Sequence, residues 1–223
     1  MYVLKDMPKQ LDAGLLKRLA TVETATIGHF YHGQFMDPAL RAVIPDRRVA
    51  GTAVTVAIPG PDSTLLHHVL GLVRPGDFLV IDRLGDVRHA CWGGVVTQAA
   101  KLAGVVGAAI DGPATDFPEI RQTDMPLWCR GPSPITTKQL ALGGYLNTPV
   151  SCGGAVVEAG DAVLADESGI VILKPHQIEA AIEEGLRRQA REPETVAKLR
   201  AGTKLPEISG ATAKIKAAMA KQT

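Results

Sequence analysis

The stretch VVTQAAKLAGVVGAAIDGPATDFPEI, Val95–Ile120, changes its period halfway along. Val96, Ala99, Ala100 and Ala103 fall on one helical face, and Gly104 offers that helix a stop. VVGAAID, Val105–Asp111, then reads as a buried strand that delivers two carboxylates, Asp111 and Asp116, into the loop beyond it. Upstream, Arg74-Pro75-Gly76-Asp77 turns the chain into a second apolar strand, FLVID, ending at Asp82. Strand, helix and strand at this length make a βαβ unit, so part of the sheet is expected to be parallel. The class is therefore α/β.

Further out, Leu11, Leu15, Leu16 and Leu19 have helical spacing, which predicts an amphipathic first helix over Pro8 to about Thr21. VAGTAVTVAI, Val49–Ile58, is rich in β-branched residues and closes at Pro59-Gly60, as a strand does. Asp62 or Ser63 is placed to cap the next helix, TLLHHVLGLV. The second half is more β-rich. Pro149–Val157 and GDAVLADESGIVIL give short strands, with Asp166-Glu167-Ser168-Gly169 as a hairpin turn. An internal echo is visible: Glu158-Ala159-Gly160-Asp161 before AVLAD resembles Arg74-Pro75-Gly76-Asp77 before FLVID, although two copies do not make a solenoid. From Pro175 the chain reads as helical and charged, broken by Pro193, Gly202 and Pro206.

The 223 residues suit one sizeable core with a peripheral tail. With 24 basic and 23 acidic residues the formal charge is +1, so no broad field invites direct contact with nucleic acid or an anionic membrane. Cys91, Cys129 and Cys152 are odd in number and widely spaced, which argues against a disulfide framework and for a reducing, cytoplasmic setting. The N-terminus has no leader pattern, and no apolar run approaches a membrane span.

Two features carry chemistry. A helix starting near Gly93-Gly94 would present free amides with little side chain in front of them, a cradle for a carboxylate or phosphate. A helix and a returning parallel strand would bring Thr115-Asp116 to the same crevice. The plain alternative is that the glycines and Asp116 only cap helices. Other candidates are weaker. His29 and His32 on one helix face lack a third metal ligand; His67 and His68 point to different faces, with His68 near the core or an interface; Gly-Pro-Ser-Pro at 131–134 lacks a nucleophile-elbow context and reads as a rigid loop. The cysteines read as packed residues, with Cys91 beside His89 as the one thiol worth testing.

The segments GGVVTQAAKLAGVVGAAIDGPATDFPEI, RGPSPITT and NTPVSCGGAVVEAGDAVLADESGIVIL, in this order, resemble the family of regulator of ribonuclease E activity A and the 4-hydroxy-4-methyl-2-oxoglutarate aldolases, over roughly Thr21 to Ala190. The resemblance implies a compact β/β/α layered fold with mixed sheets over residues 1–190. The remaining 191–223 form a charged helical tail, expected to pack on a neighbouring subunit of a trimer or hexamer. It also implies Mg2+ or Mn2+ held by Asp116, a 2-oxo acid carboxylate received at Gly93, Gly94, Val95 and Val96, and an acidic position at Glu119.

Two departures from the family pattern bear on the chemistry. Thr115 stands where an arginine precedes the metal aspartate, and Gly94 where an acidic residue is frequent. A threonine hydroxyl does not replace a bidentate guanidinium grip. DRLGDVRHACW, Asp82–Trp92, offers replacements: Arg88 as a substitute clamp and His89 as an acid or base, with Arg83 beside them. The alternative is that these residues only make salt links to Asp82 and Asp86.

The expected activity is divalent-metal-dependent cleavage of a small 2-oxo acid, by retro-aldol reaction or oxaloacetate decarboxylation. The alternatives are a non-catalytic protein-binding regulator and metal-assisted chemistry on another hydroxy acid.

Overall fold

A computed structural model describes residues 1–222; the last residue of the predicted tail, Thr223, lies outside the described residues. The chain runs β1 (Tyr2–Leu4), α1 (Ala13–Leu19), α2 (Thr24–Gly28), β2 (Arg41–Ala42), β3 (Val49–Ala57), α3 (Thr64–Val69), β4 (Asp77–Asp82), α4 (Gly94–Leu102), β5 (Gly107–Ile110), α5 (Phe117–Thr123) and β6 (Leu127–Cys129). It continues through β7 (Gly144–Leu146), β8 (Val150–Cys152), β9 (Ala155–Val157), β10 (Ala162–Asp166) and β11 (Gly169–Leu173) to four helices, α6 (Ile178–Gln189), α7 (Glu192–Arg200), α8 (Leu205–Ser209) and α9 (Ala211–Met219).

β3, β4, β5 and β6 are parallel neighbours, as the βαβ reading requires. β3 is the hinge of the sheet. Its first half pairs antiparallel with β10, and its last two residues pair antiparallel with β7. β10 and β11 form the predicted hairpin, with Asp166 opposite Gly169.

Alternation along the strands sends side chains to two faces. On one, Val54, Val56, Leu79, Ile81, Ala108 and Ile110 pack against Leu65, Leu66 and Val69 of α3, Val96 and Ala100 of α4, and Ile120 of α5. On the other, Phe78, Val80, Ala109 and Trp128 pack on the separate β8–β9 hairpin through Val150, Cys152, Ala155 and Val157. These are the β/β/α layers. A third cluster seats α1, α2 and α6 on the β10–β11 wing.

The two echoing turns are one structure used twice. Arg74 N donates to Asp77 Oδ2 and Glu158 N to Asp161 Oδ2, each at 2.8 Å, and Gly76 and Gly160 take φ of 92° and 96°. Thr52 N reaches Gly76 O on one side of β3, and Ala53 N reaches Asp161 O on the other.

Some expectations need correction. The first helix begins only at Ala13, because the Asp12 carboxylate caps the Leu15 amide at 2.8 Å. α2 ends at Gly28, so His29 is its C-cap and His32 lies beyond it; the two do not share a helix face. His68 is exposed, and Leu65, Leu66 and Val69 take the core positions of α3. In the tail, Pro193 and Pro206 sit in the first turns of α7 and α8, where a missing N–H costs nothing. Helices α7 to α9 bury no residue.

Candidate functional site

The loops leaving the carboxyl ends of β4, β5 and β6 gather at one edge of the sheet, the usual place for a site in a parallel α/β fold. The segment after β6 stitches them together. Ser133 N donates to Ala114 O at 2.9 Å, Ser133 Oγ to Arg88 O at 2.6 Å, and Ala90 N to Ile135 O at 2.7 Å. Ser133 is thus a rivet in a rigid loop.

Asp116 stands at the N-terminus of α4. It has φ 55° and ψ 44°, a left-handed conformation uncommon for a residue with a side chain. Its Oδ2 accepts the Gly94 amide at 2.9 Å and its Oδ1 the Thr115 hydroxyl at 3.2 Å, while Thr115 N is held by Trp92 O at 2.8 Å. Asp116 makes no side-chain capping bond to its own helix, so capping α5 is not what its carboxylate does. Gly93 is required by this approach: a Cβ there would fall 2.6 Å from Asp116 Oδ2 and 3.0 Å from Thr115 Cγ2.

Around this contact lies a cleft of about 300 Å3, where Gly94, Val95 and Gln98 of α4 face Asp116, Glu119, Gln122 and Thr123. Gln98 Nε2 donates to Thr123 Oγ1, which donates to Glu119 O, each at 2.8 Å. Asp116 and Glu119 are exposed, and neither forms an ion pair within 4 Å among the described residues. Two hard carboxylates open to water suit Mg2+ or Mn2+, ions that keep several waters around few protein oxygens. No group of three His, Cys, Asp or Glu that could hold a metal occurs among the described residues, so any ion here relies on few protein ligands.

The structure thus brings Gly93, Gly94, Val95, Thr115, Asp116 and Glu119 together. Val96 is buried on the core side of α4 and offers only its backbone. Arg88 and His89 do not line the cleft. The Arg88 side chain is exposed and forms no ion pair among the described residues. His89 and Arg83 follow the salt-link alternative: Asp86 Oδ1 holds His89 Nδ1 at 3.0 Å and Asp86 Oδ2 holds Arg83 Nη2 at 3.2 Å. Burial works to raise the Asp86 carboxyl, but the hydrogen bonds from His89 and the Arg83 charge outweigh it and hold the pKa below the ordinary value. Asp82 takes no part in these links and instead accepts Leu84 N at 2.7 Å.

Asp111 is more than a turn residue. Its Oδ1 accepts Arg130 Nε at 2.5 Å and its Oδ2 accepts Gly153 N at 2.8 Å, tying the β5 loop to β6 and to the β8–β9 hairpin. Arg130 also reaches Asp37 at 3.0 Å. Burial disfavours the Arg130 charge, yet its two carboxylate partners raise the pKa on balance. Cys91 is not an accessible thiol: burial pushes its pKa up to about 11.

The fold has known relatives. A "Putative 4-hydroxy-4-methyl-2-oxoglutarate aldolase" of Halalkalibacterium halodurans is 27% identical over 182 residues, 81% of this chain and 86% of that protein. The crystal structure of Streptomyces coelicolor RraAS2, described as an unusual member of the RNase ES inhibitor RraA family, superimposes with a TM-score of 0.75 at 27% identity, covering 84% of this chain and 98% of that one. The RNA-processing inhibitor RraA from Thermus thermophilis gives a TM-score of 0.62 at 25% identity, covering 68% of this chain and 92% of that one. The RraA-like family model, Aldolase/RraA, matches residues 19–172, and the chain belongs to that family.

Proposed function

We propose that the protein is a divalent-metal-dependent carbon–carbon lyase acting on a small 2-oxo acid. The observation that carries this reading is the Asp116 carboxylate, held against the Gly94 amide at 2.9 Å and free of any cationic side chain. Asp116 would hold Mg2+ or Mn2+, with Glu119 beside it. A bound ion supplies Lewis-acid stabilisation of negative charge on a keto oxygen.

The remaining work belongs to the chain. A helix leaves its first-turn amides without intrahelical partners, so Val95 and Val96 offer N–H groups to a substrate carboxylate once Gly94 has been taken by Asp116. In retro-aldol cleavage of a 4-hydroxy-2-oxo acid the C3–C4 bond breaks. The C4 hydroxyl becomes an aldehyde or ketone and gives up its proton, and C3 regains a proton to leave pyruvate. The exposed Glu119 carboxylate is the group in the cleft suited to accept the hydroxyl proton, directly or through water.

The family's solved structures support a second reading, a non-catalytic regulator of RNA processing that works through a protein interface. One panel separates the two: pyruvate or carbon dioxide release from 4-hydroxy-2-oxo acids and oxaloacetate, with Mg2+, with Mn2+ and with chelator. The lyase reading expects turnover that chelation abolishes. Absence of turnover on the whole panel favours the regulator.

A further inference from the structure

We infer that α9 of one copy lies across the α4–α5 cleft of a second copy, with its apolar stripe on Val95 and Leu102 and its lysines beside Asp116 and Glu119. This needs an assembly of copies and is independent of the lyase reading.

The receiving surface is an apolar ridge with a negative end. Val95 and Leu102 are seven residues apart, so they lie on one face of α4, with Gln98 between them. They are 83% and 87% exposed, while Val96 and Ala100 fill the core-facing side of the same helix. Large apolar side chains left in water at helical spacing, beside a cleft, mark a contact surface. Asp116 and Glu119, both exposed, border its N-terminal end. At the other end Lys101 is turned away, its Nζ donating to Asp124 O at 2.8 Å.

The tail is the complement of that ridge. From Lys198 to Lys221 the chain has six basic residues and one acidic, Glu207. In α9, Ile215 and Met219 stand one turn apart, 61% and 62% exposed, and Lys214 and Lys216 flank their stripe on either side. The helix buries none of its residues within its own chain. No tail residue lines the cleft of the same chain, so the occupant comes from another copy. An apolar stripe edged with positive charge fits an apolar ridge edged with negative charge, and the charges fix which end of the ridge the lysines meet. The tail lies beyond residues 19–172, which match the family model.

The test joins the two surfaces chemically. The full chain carrying Val95→Cys and Met219→Cys is treated with a short bis-maleimide and resolved on a denaturing gel. Both positions are exposed, so neither change disturbs the core, and the three native thiols are buried. We expect chains joined in pairs and larger species in at least fivefold higher yield than from either single variant. Adding Lys214→Glu and Lys216→Glu should lower that yield at least threefold, and further adding Glu119→Lys should recover at least half of the loss. Joined chains no more abundant than in the single variants overturn the inference, as does a yield indifferent to the charge reversal. Turnover plays no part in this readout, so its outcome stands apart from that of the lyase panel.

Discussion

Asp116 Oδ2 lies 2.9 Å from the Gly94 amide, across the space that a side chain on Gly93 would fill. The proposed metal ligand and the helix N-terminus are therefore one unit. Moving either partner should disturb both ion and substrate binding.

Gly93→Ala tests that unit. The added methyl, 2.6 Å from Asp116 Oδ2, has to push the carboxylate away. The expected result is a loss of at least tenfold in Mn2+ affinity, about 1.4 kcal/mol, by titration calorimetry. Melting temperature should change little, because Gly93 and Asp116 lie outside the core.

Asp111→Asn should separate from Asp116→Asn in kind. Asp111 joins Arg130 and Gly153, so losing its charge should cost about 1–3 kcal/mol of stability in denaturant unfolding. Its Mn2+ affinity should match the native chain. A variant with native stability and lost metal binding would reverse the two assignments.

Asp62 predicts an acid limb. It is buried, and burial alone would raise its pKa, but four hydrogen bonds outweigh that: Thr64 Oγ1 at 2.6 Å, Thr64 N at 2.8 Å, Leu140 N at 3.0 Å and Leu142 N at 2.7 Å. The result is a fall from the ordinary 3.8 to about 2. A depressed folded-state value stabilises the fold above pH ~4, and that contribution, roughly 2 kcal/mol, is lost as pH falls toward 2. Asp62→Asn should be less stable at pH 7 and should flatten the stability curve between pH 4 and 2. A parallel curve in the variant would contradict this.

The thiols give a simple check of packing. Cys91, Cys129 and Cys152 are free and buried, and burial raises the pKa of each. A disulfide reagent should label none of them in the native protein and all three after unfolding.

Much of this was legible in the sequence, for local reasons. The βαβ core announces itself by a change of period at Gly104, and the two aspartate turns by their shared Gly-Asp ending before a strand. Gly93-Gly94 and Asp116 could be placed in one crevice because a helix and a parallel strand return the chain to the same edge. What escaped is what depends on distance along the chain. Arg130 meets Asp111 across 19 residues, and Asp62 organises amides 78 and 80 residues away, with no periodicity to mark either link. β1, β6 and β7 are three residues each, and β2 only two, too short to show alternation. Arg88 precedes α4 in sequence, which suggests a place in the site, but that loop spends its side chains on Asp86 or turns them to solvent.

The family resemblance also leads us to propose a closed homo-oligomer, trimer or hexamer, against which α7 to α9 pack, since these helices bury nothing within their own chain. Sedimentation at micromolar concentration should show such an assembly, and removal of residues 191–223 should weaken it. A monomer in the native chain would refute the proposal.

The most direct measurement of the central claim is Mn2+ affinity and pyruvate release in the native protein and in Asp116→Asn, on the same 4-hydroxy-2-oxo acid. The account predicts chelator-sensitive release in the native chain, with affinity and turnover both falling at least tenfold in the variant. Unchanged affinity and turnover in Asp116→Asn would contradict it.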